Sequence, residues 1–304
     1  MSTVEETTRT LLLAESPAPR RGRKRASRTE GRRNPVLTAV AVVIGAAFVL
    51  PALWIFVSSF RPNADIVNSL SPVSWGMIIP SHLTLENYVN VLGPYGFAQA
   101  LLNSLIVCLS SVVIGILISA TAGYALAVYN FPGRNVVFAI VVISFMIPFE
   151  AIAIPLSQTF TNWGLGNTLV GLILPGIGNG LAVFNMRQHF LNIPASYREA
   201  AMLDGASEPR ILFSIYVPMS TSALTNSALL IFLAQWTAYL WPLILISTPS
   251  LQVAPIALAN TFGQHTSDYG ANFAGATLLA LIPAATMFVL QRFFGRISIG
   301  SGEK

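Results

Sequence analysis

Long apolar runs separated by short polar intervals make up most of this chain. Six runs contain the ~20 mostly apolar residues that a helix needs to cross a bilayer. They lie at about 36–60, 98–129, 136–160, 168–190, 220–246 and 272–294. Each holds an interior proline or glycine, among them Pro51, Pro148, Pro155, Pro175 and Pro283. Spanning helices tolerate these residues where neighbouring helices re-satisfy the freed backbone groups. The second run is long enough to open with a separate helix lying at the membrane interface. The pattern predicts an all-α polytopic membrane protein with six transmembrane helices.

Composition excludes a soluble alternative. Of 304 residues 54% are apolar and 10% charged, against about 25% charged in a soluble domain. Cys108 is the single cysteine. It lies within an apolar run and reads as a small buried hydrophobe.

The basic residues predict the orientation, because cytoplasmic loops of membrane proteins carry an excess of Lys and Arg. Residues 1–34 hold nine of the seventeen. With this tail in the cytoplasm, six crossings put Arg134, then Arg187 through Arg210, and finally Arg292, Arg296 and Lys304 on the same side. Only Arg61 falls outside the rule. Both termini are expected to be cytoplasmic. The tail reads as disordered, and as an orientation anchor beside anionic membrane lipid rather than a nucleic-acid ligand. No cleavable signal is evident, since the first apolar run starts near residue 36 and is too long for one. An outer loop at about 61–96 includes "TLENYVNVL", which predicts a short amphipathic helix.

One polar interval is out of character. The loop at about 191–218 contains "SYREAAMLDGASEPRILFSIYVP" and is far longer than a turn between spans requires. Pro194 suits the start of a helix; alternatively Ser196 caps it, with Glu199 completing a capping box. "REAAML" favours helix and Gly205 is its natural stop. Ser207 then caps a second helix, on which Ile211, Leu212 and Ile215 form an apolar stripe. Pro218 resets the chain direction. A structured loop of this length reads as a docking element, the alternative being a helix lying flat on the membrane surface.

The same loop resembles the EAA motif of ABC importer permeases, E-A-A-x3-G-x9-I-x-L-P. It reads Glu199, Ala200, Ala201, Gly205, Ile215 and Pro218 at that spacing, with Val217 where leucine is usual. "NSLIV", "YALAVYNFPGR", "MIPFEAIAIPL", "GLILP", "MRQHFLNIP" and "QRFFGRISIGS" extend the similarity to the carbohydrate branch, the MalG-like permeases. It covers about residues 36–301. That branch often has Trp-Asn-Asp before Leu-Trp-Pro, but this chain reads "QWTAYLWPL", so any role of the polar pair does not transfer.

The resemblance implies a type I importer transmembrane domain in the cytoplasmic membrane of a prokaryote. The division would be a tail (1–34), a first helix with its outer loop (35–97), the transmembrane domain (98–295) and a short cytoplasmic end (296–304). Implied partners are a second permease, two ATP-binding cassette subunits and an extracytoplasmic solute-binding protein. The chain would bind no cofactor itself, ATP and Mg being used by the partner subunits; it has no phosphate-binding G-x-x-x-x-G-K-[ST] run. Glu199, Ala200, Ala201, Asp204 and Gly205 would form the coupling loop. There Ala200 and Ala201 give a slim face, Glu199 offers a carboxylate to the ATPase, and Asp204 caps the turn or pairs across the interface.

Candidates for the translocation path are fewer. Glu150 is the one acid within the six runs, and it either faces a watery vestibule or sits where a kink reaches the outer interface. Gln235, Asn185 and Asn179 can hydrogen-bond a sugar or a neighbouring helix. Trp236 and Trp241 can stack on a sugar ring or anchor at the interface. Rival readings are an ion-coupled secondary transporter, which leaves the EAA spacing unexplained, a membrane-embedded hydrolase, which lacks a nucleophile with its base, and an importer of a non-sugar polar solute.

Overall fold

The computed structural model describes residues 35–70, 80, 82–264 and 268–294. The basic tail and the C-terminal end expected at 296–304 lie outside the described residues. Every described element is helical. The α-helices of four or more residues are, in order, α1 (Pro35–Ser58), α2 (Asn63–Leu70), α3 (Glu86–Leu92), α4 (Phe97–Val128), α5 (Arg134–Met146), α6 (Phe149–Asn162), α7 (Leu169–Ile177), α8 (Gly180–Phe190), α9 (Ala195–Leu203), α10 (Glu208–Ile211), α11 (Thr221–Trp236), α12 (Leu240–Leu245), α13 (Ala254–Gln264) and α14 (Tyr269–Phe294). The chain falls into two compact units, up to Leu50 and from Pro51 onward. The described residues of the first unit are the apolar opening of α1, all of them exposed.

Four helical stretches are long and apolar enough to cross a membrane: α1, α4, α7 with α8, and Tyr269–Gln291 of α14. The count rises to as many as six if two bent pairs each form one span. One is α5 with α6, which meet at 97°. Pro148 explains the break: proline lacks the N–H a helix needs and pushes the preceding residue into extended geometry, and Ile147 has φ −73° and ψ 123°. The second pair joins Glu208–Met219 to α11 at 87°.

Two expectations are corrected. The second run does not open with a separate interfacial helix, because α4 is unbroken over 32 residues. At ~1.5 Å per residue it is ~48 Å long, so it outreaches a ~30 Å hydrocarbon core. The fifth run ends early at Trp236, and α12 follows only after a break.

In the second unit α4 is the central helix, packing against α7, α8 and α11. Ser111, Gly115, Ser119 and Gly123 recur at four-residue spacing along it and all are buried. Lipid offers no hydrophobic drive between helices, so close backbone approach through small residues is what holds such pairs together. At the far end of α4, Asn103 Nδ2 donates to the carbonyls of Ser250 and Gln252, 2.9 Å each. The Ser104 hydroxyl accepts from the Ala254 amide at 2.8 Å. The "NS" of "NSLIV" thus clamps the segment leading into α13. The expected helix in "TLENYVNVL" is α3; its Asn87 Nδ2 donates to the carbonyls of Ser59 (2.8 Å) and Arg61 (2.7 Å).

Candidate functional site: the loop between α8 and α11

Between Phe190 and Thr221 the chain builds a small folded unit at the Tyr124 end of α4. Pro194 takes the N-cap position with extended backbone (ψ 134°), and α9 begins at Ala195. Ser196 therefore lies inside the first turn, and no side chain caps the helix. The Ser196–Glu199 capping box does not form. The other end is as expected: Gly205 adopts φ +75°, which costs glycine nothing because it has no Cβ. Its amide donates to Met202 O at 3.0 Å and the Ala206 amide to Ala201 O at 2.9 Å, the two bonds of a Schellman stop.

Ser207 precedes α10 without a side-chain capping bond. The helix then widens into a π-helical turn over Leu212–Tyr216, closed by the Val217 amide on Leu212 O. An i to i+5 turn holds an extra residue, which changes the buried face. Ile211, Leu212 and Tyr216 are the fully buried residues, and Ile215 of the expected stripe is half-buried.

The faces of α9 differ in character. Glu199, Ala200 and Leu203 are exposed, Leu203 to 90%. Arg198 and Ala201 are half-buried. Ala201 and Ala206 pack on a cluster that includes Tyr124, Met186, Phe190, Ile211, Leu212 and Tyr216. The outward slim face thus belongs to Ala200 beside Glu199, while Ala201 is the contact beneath. Asp204 and Gly205 are exposed in the turn.

A polar anchor lies under this knob. The Arg198 guanidinium forms an ion pair with Glu208 across the Gly205 turn. The Tyr124 hydroxyl, on α4, donates to the same carboxylate at 2.6 Å. Arg198 also sits over the Tyr129 ring, 5.7 Å from its centroid. Hydrogen bonding from Arg198 holds the Glu208 carboxyl below its ordinary value, and Glu208 holds the guanidinium proton more tightly in return. These partners were not legible as a site in the sequence. Opposite charges flanking a helix-stopping glycine were the one available signal.

The path candidates are scattered. Gln235 Nε2 donates to the Ser111 hydroxyl at 3.0 Å. Asn185 Nδ2 donates to Ala223 O (3.0 Å) and to the Ser227 hydroxyl (2.8 Å). Asn179 caps α8, its Oδ1 accepting from the Ala182 amide at 2.9 Å. Gln235 and Asn185 thus bond to neighbouring helices, whereas Asn179 caps its own. Gln235 also lines a small cleft with Ser104, Leu172, Trp241 and Val253. Glu150 is exposed in the first turn of α6, two residues past the Pro148 bend. Trp236 and Trp241 are neither interface anchors nor stacking platforms. Both are buried, donating to Leu279 O at 3.0 Å and Gly171 O at 3.1 Å.

An apolar helical bundle with a folded polar knob between two spans defines a multi-pass membrane protein. Residues 111–298 match the family model of the binding-protein-dependent transport system inner membrane component, and the chain belongs to that family. It is a transport component of the cytoplasmic membrane, not an enzyme. The arabinooligosaccharides transport system permease protein AraQ of Halalkalibacterium halodurans is 34% identical over 270 residues, 86% of this chain and 95% of that protein. The trehalose transport system permease protein SugB of Mycobacterium tuberculosis is 32% identical over 268 residues, with the same two coverages. In fold the chain is similar to a chain of a bacterial ABC transporter involved in the import of the acidic polysaccharide alginate. The TM-score is 0.72 at 24% identity, covering 86% of this chain and 98% of that one.

Proposed function

We propose that this chain is the permease subunit of an ATP-driven importer that carries a sugar or oligosaccharide across the cytoplasmic membrane by alternating access. It pairs with a second permease, rests on two ATPase subunits that use ATP and Mg, and receives its solute from an extracytoplasmic binding protein. The observation that carries the reading is the outward face of α9. A bare Glu199–Ala200–Leu203 surface, with a leucine 90% exposed, rests on a buried, ion-paired base. A helix merely lying on lipid has no use for such a base, whereas a helix that is pushed and pulled by a soluble subunit does. The positive-inside distribution favours a cytoplasmic position for this knob. The carbohydrate relatives favour a sugar as cargo. Because Gln235, Asn185 and Asn179 are engaged within the chain, much of the solute contact falls to the second permease.

The test is ATPase activity and uptake by the reconstituted complex, stimulated by loaded binding protein, for wild type against Glu199→Ala combined with Gly205→Pro. Loss of stimulation in a protein that inserts normally supports coupling through this loop. Unchanged stimulation and uptake would leave α9 a surface helix.

A further inference from the structure

Glu208 receives two charge-assisted bonds from different parts of the fold. Arg198 reaches it from α9 across the Gly205 turn, and the Tyr124 hydroxyl reaches it from α4. The Tyr124 ring is packed on three sides. It meets Tyr216 edge-on at 4.9 Å, Tyr129 at 5.8 Å and Phe190 at 6.2 Å. α4 is also the helix against which α7, α8 and α11 pack. Around Glu208 the backbone is irregular: Ser207 gives no side-chain cap, a π-helical turn follows at Leu212–Tyr216, and the chain bends by 87° after Met219. The backbone path from α9 to the spanning helix α11 thus passes through a left-handed turn, a π-helical turn and a sharp bend. The side-chain path from α9 to α4 is short, and at Tyr124 it is fully buried.

We infer that the Arg198–Glu208–Tyr124 clamp is the element that makes α9 and the spanning helix α4 move together, so that force applied at the Glu199 face reaches the bundle through α4 rather than along the chain into α11. The inference rests on the coupling role proposed above. Arg198, Glu208 and Tyr124 are positioning residues, behind the surface that meets the ATPase. A charge-assisted hydrogen bond resists separation better than apolar packing of the same area, because pulling it apart leaves a charged group unpaired. The bonds are also directional, so they transmit rotation of α9 as well as displacement.

The experiment measures solute imported per ATP hydrolysed in the reconstituted complex with its binding protein, together with recovery of the ATPase subunits on the purified permease. The variants are Glu208→Gln, Tyr124→Phe and the exchange Arg198→Glu with Glu208→Arg. Tyr124→Phe keeps the ring and its edge-on contacts while removing one hydroxyl. The expected result is normal recovery of ATPase subunits with a loss of solute moved per ATP for Glu208→Gln, because the charge-assisted bonds that tie α9 to α4 are weakened. Tyr124→Phe falls in the same direction by less, and the exchange recovers part of the loss. Unchanged stoichiometry in Glu208→Gln and Tyr124→Phe overturns the clamp. So does loss of assembly in both variants, because the cluster is then only a folding scaffold. If wild type itself shows no stimulation by loaded binding protein, the importer reading fails, and that result is distinct from a stimulated wild type whose variants match it.

Discussion

Gly123 on α4 and Met186 on α8 lie so close that a Cβ added to the glycine would come within 2.9 Å of the methionine Cβ. The amide nitrogen of Arg187 would be 3.0 Å away, so the obstacle includes backbone and cannot swing aside. Gly123→Val is expected to destabilise the purified permease by about 1–3 kcal/mol, the cost of overpacking a close-packed site. Gly45→Ala has open space around it and is expected to be neutral. Thermal unfolding in detergent separates the two.

Asn103 is 2% exposed and bonded to two carbonyls. Asn103→Leu keeps the volume but leaves both acceptors without their donor, which costs about 1–3 kcal/mol. The loss should appear as a lower unfolding temperature and as faster proteolysis in the 247–254 segment that Asn103 secures.

Gly205 holds φ +75°, a conformation that costs a residue with a Cβ about 1–2 kcal/mol. Gly205→Ala should lower ATPase stimulation, and Gly205→Asn should do so less, since asparagine tolerates left-handed backbone. Equal effects would mean that the turn's conformation is not what matters.

Leu203 presents an apolar side chain to solvent at 90% exposure. If a partner covers it, truncation removes burial worth about 1.5–3 kcal/mol. Leu203→Ala should therefore weaken capture of the ATPase subunits about tenfold or more, measured by titrating them onto immobilised permease. Equal capture would place Leu203 outside the contact.

The pH dependence of the clamp has a definite sign. Hydrogen bonding from Arg198 lowers the Glu208 pKa from its ordinary 4.5. A carboxylate depressed in the folded state contributes stability that is complete above its unfolded value and is lost as pH falls through the folded one. The stability gap between wild type and Glu208→Gln should thus be constant across the neutral range and close only below pH 4.5. A gap that changes near neutrality would point to another titrating group.

The spans were legible because bilayer length and hydrophobicity are written locally, residue by residue. Gly205 was legible for the same reason: a left-handed stop is a property of one residue and its immediate neighbours. Of the two helix starts open in the sequence, Pro194 prevails over the Ser196–Glu199 capping box, because it takes the N-cap position and the helix begins one residue before Ser196. Burial of Trp236 and Trp241 could not be read either, because their partners at Leu279 and Gly171 are 43 and 70 residues away.

The sequence by itself determined that this chain is a helical membrane protein, roughly where its helices run, and which loop is longer and more polar than a turn between spans requires. Those properties follow from hydrophobic periodicity, turn chemistry and motif spacing, all of which act over short stretches. Only the tertiary structure decided that Ala201 turns inward while Ala200 turns out, that the third run bends by 97°, and that Tyr124 meets Glu208 across 84 residues of chain. Side-chain pairing of that kind depends on how helices cross, and although the small-residue face of α4 is written in one segment, the partners that pack on it come from distant parts of the chain.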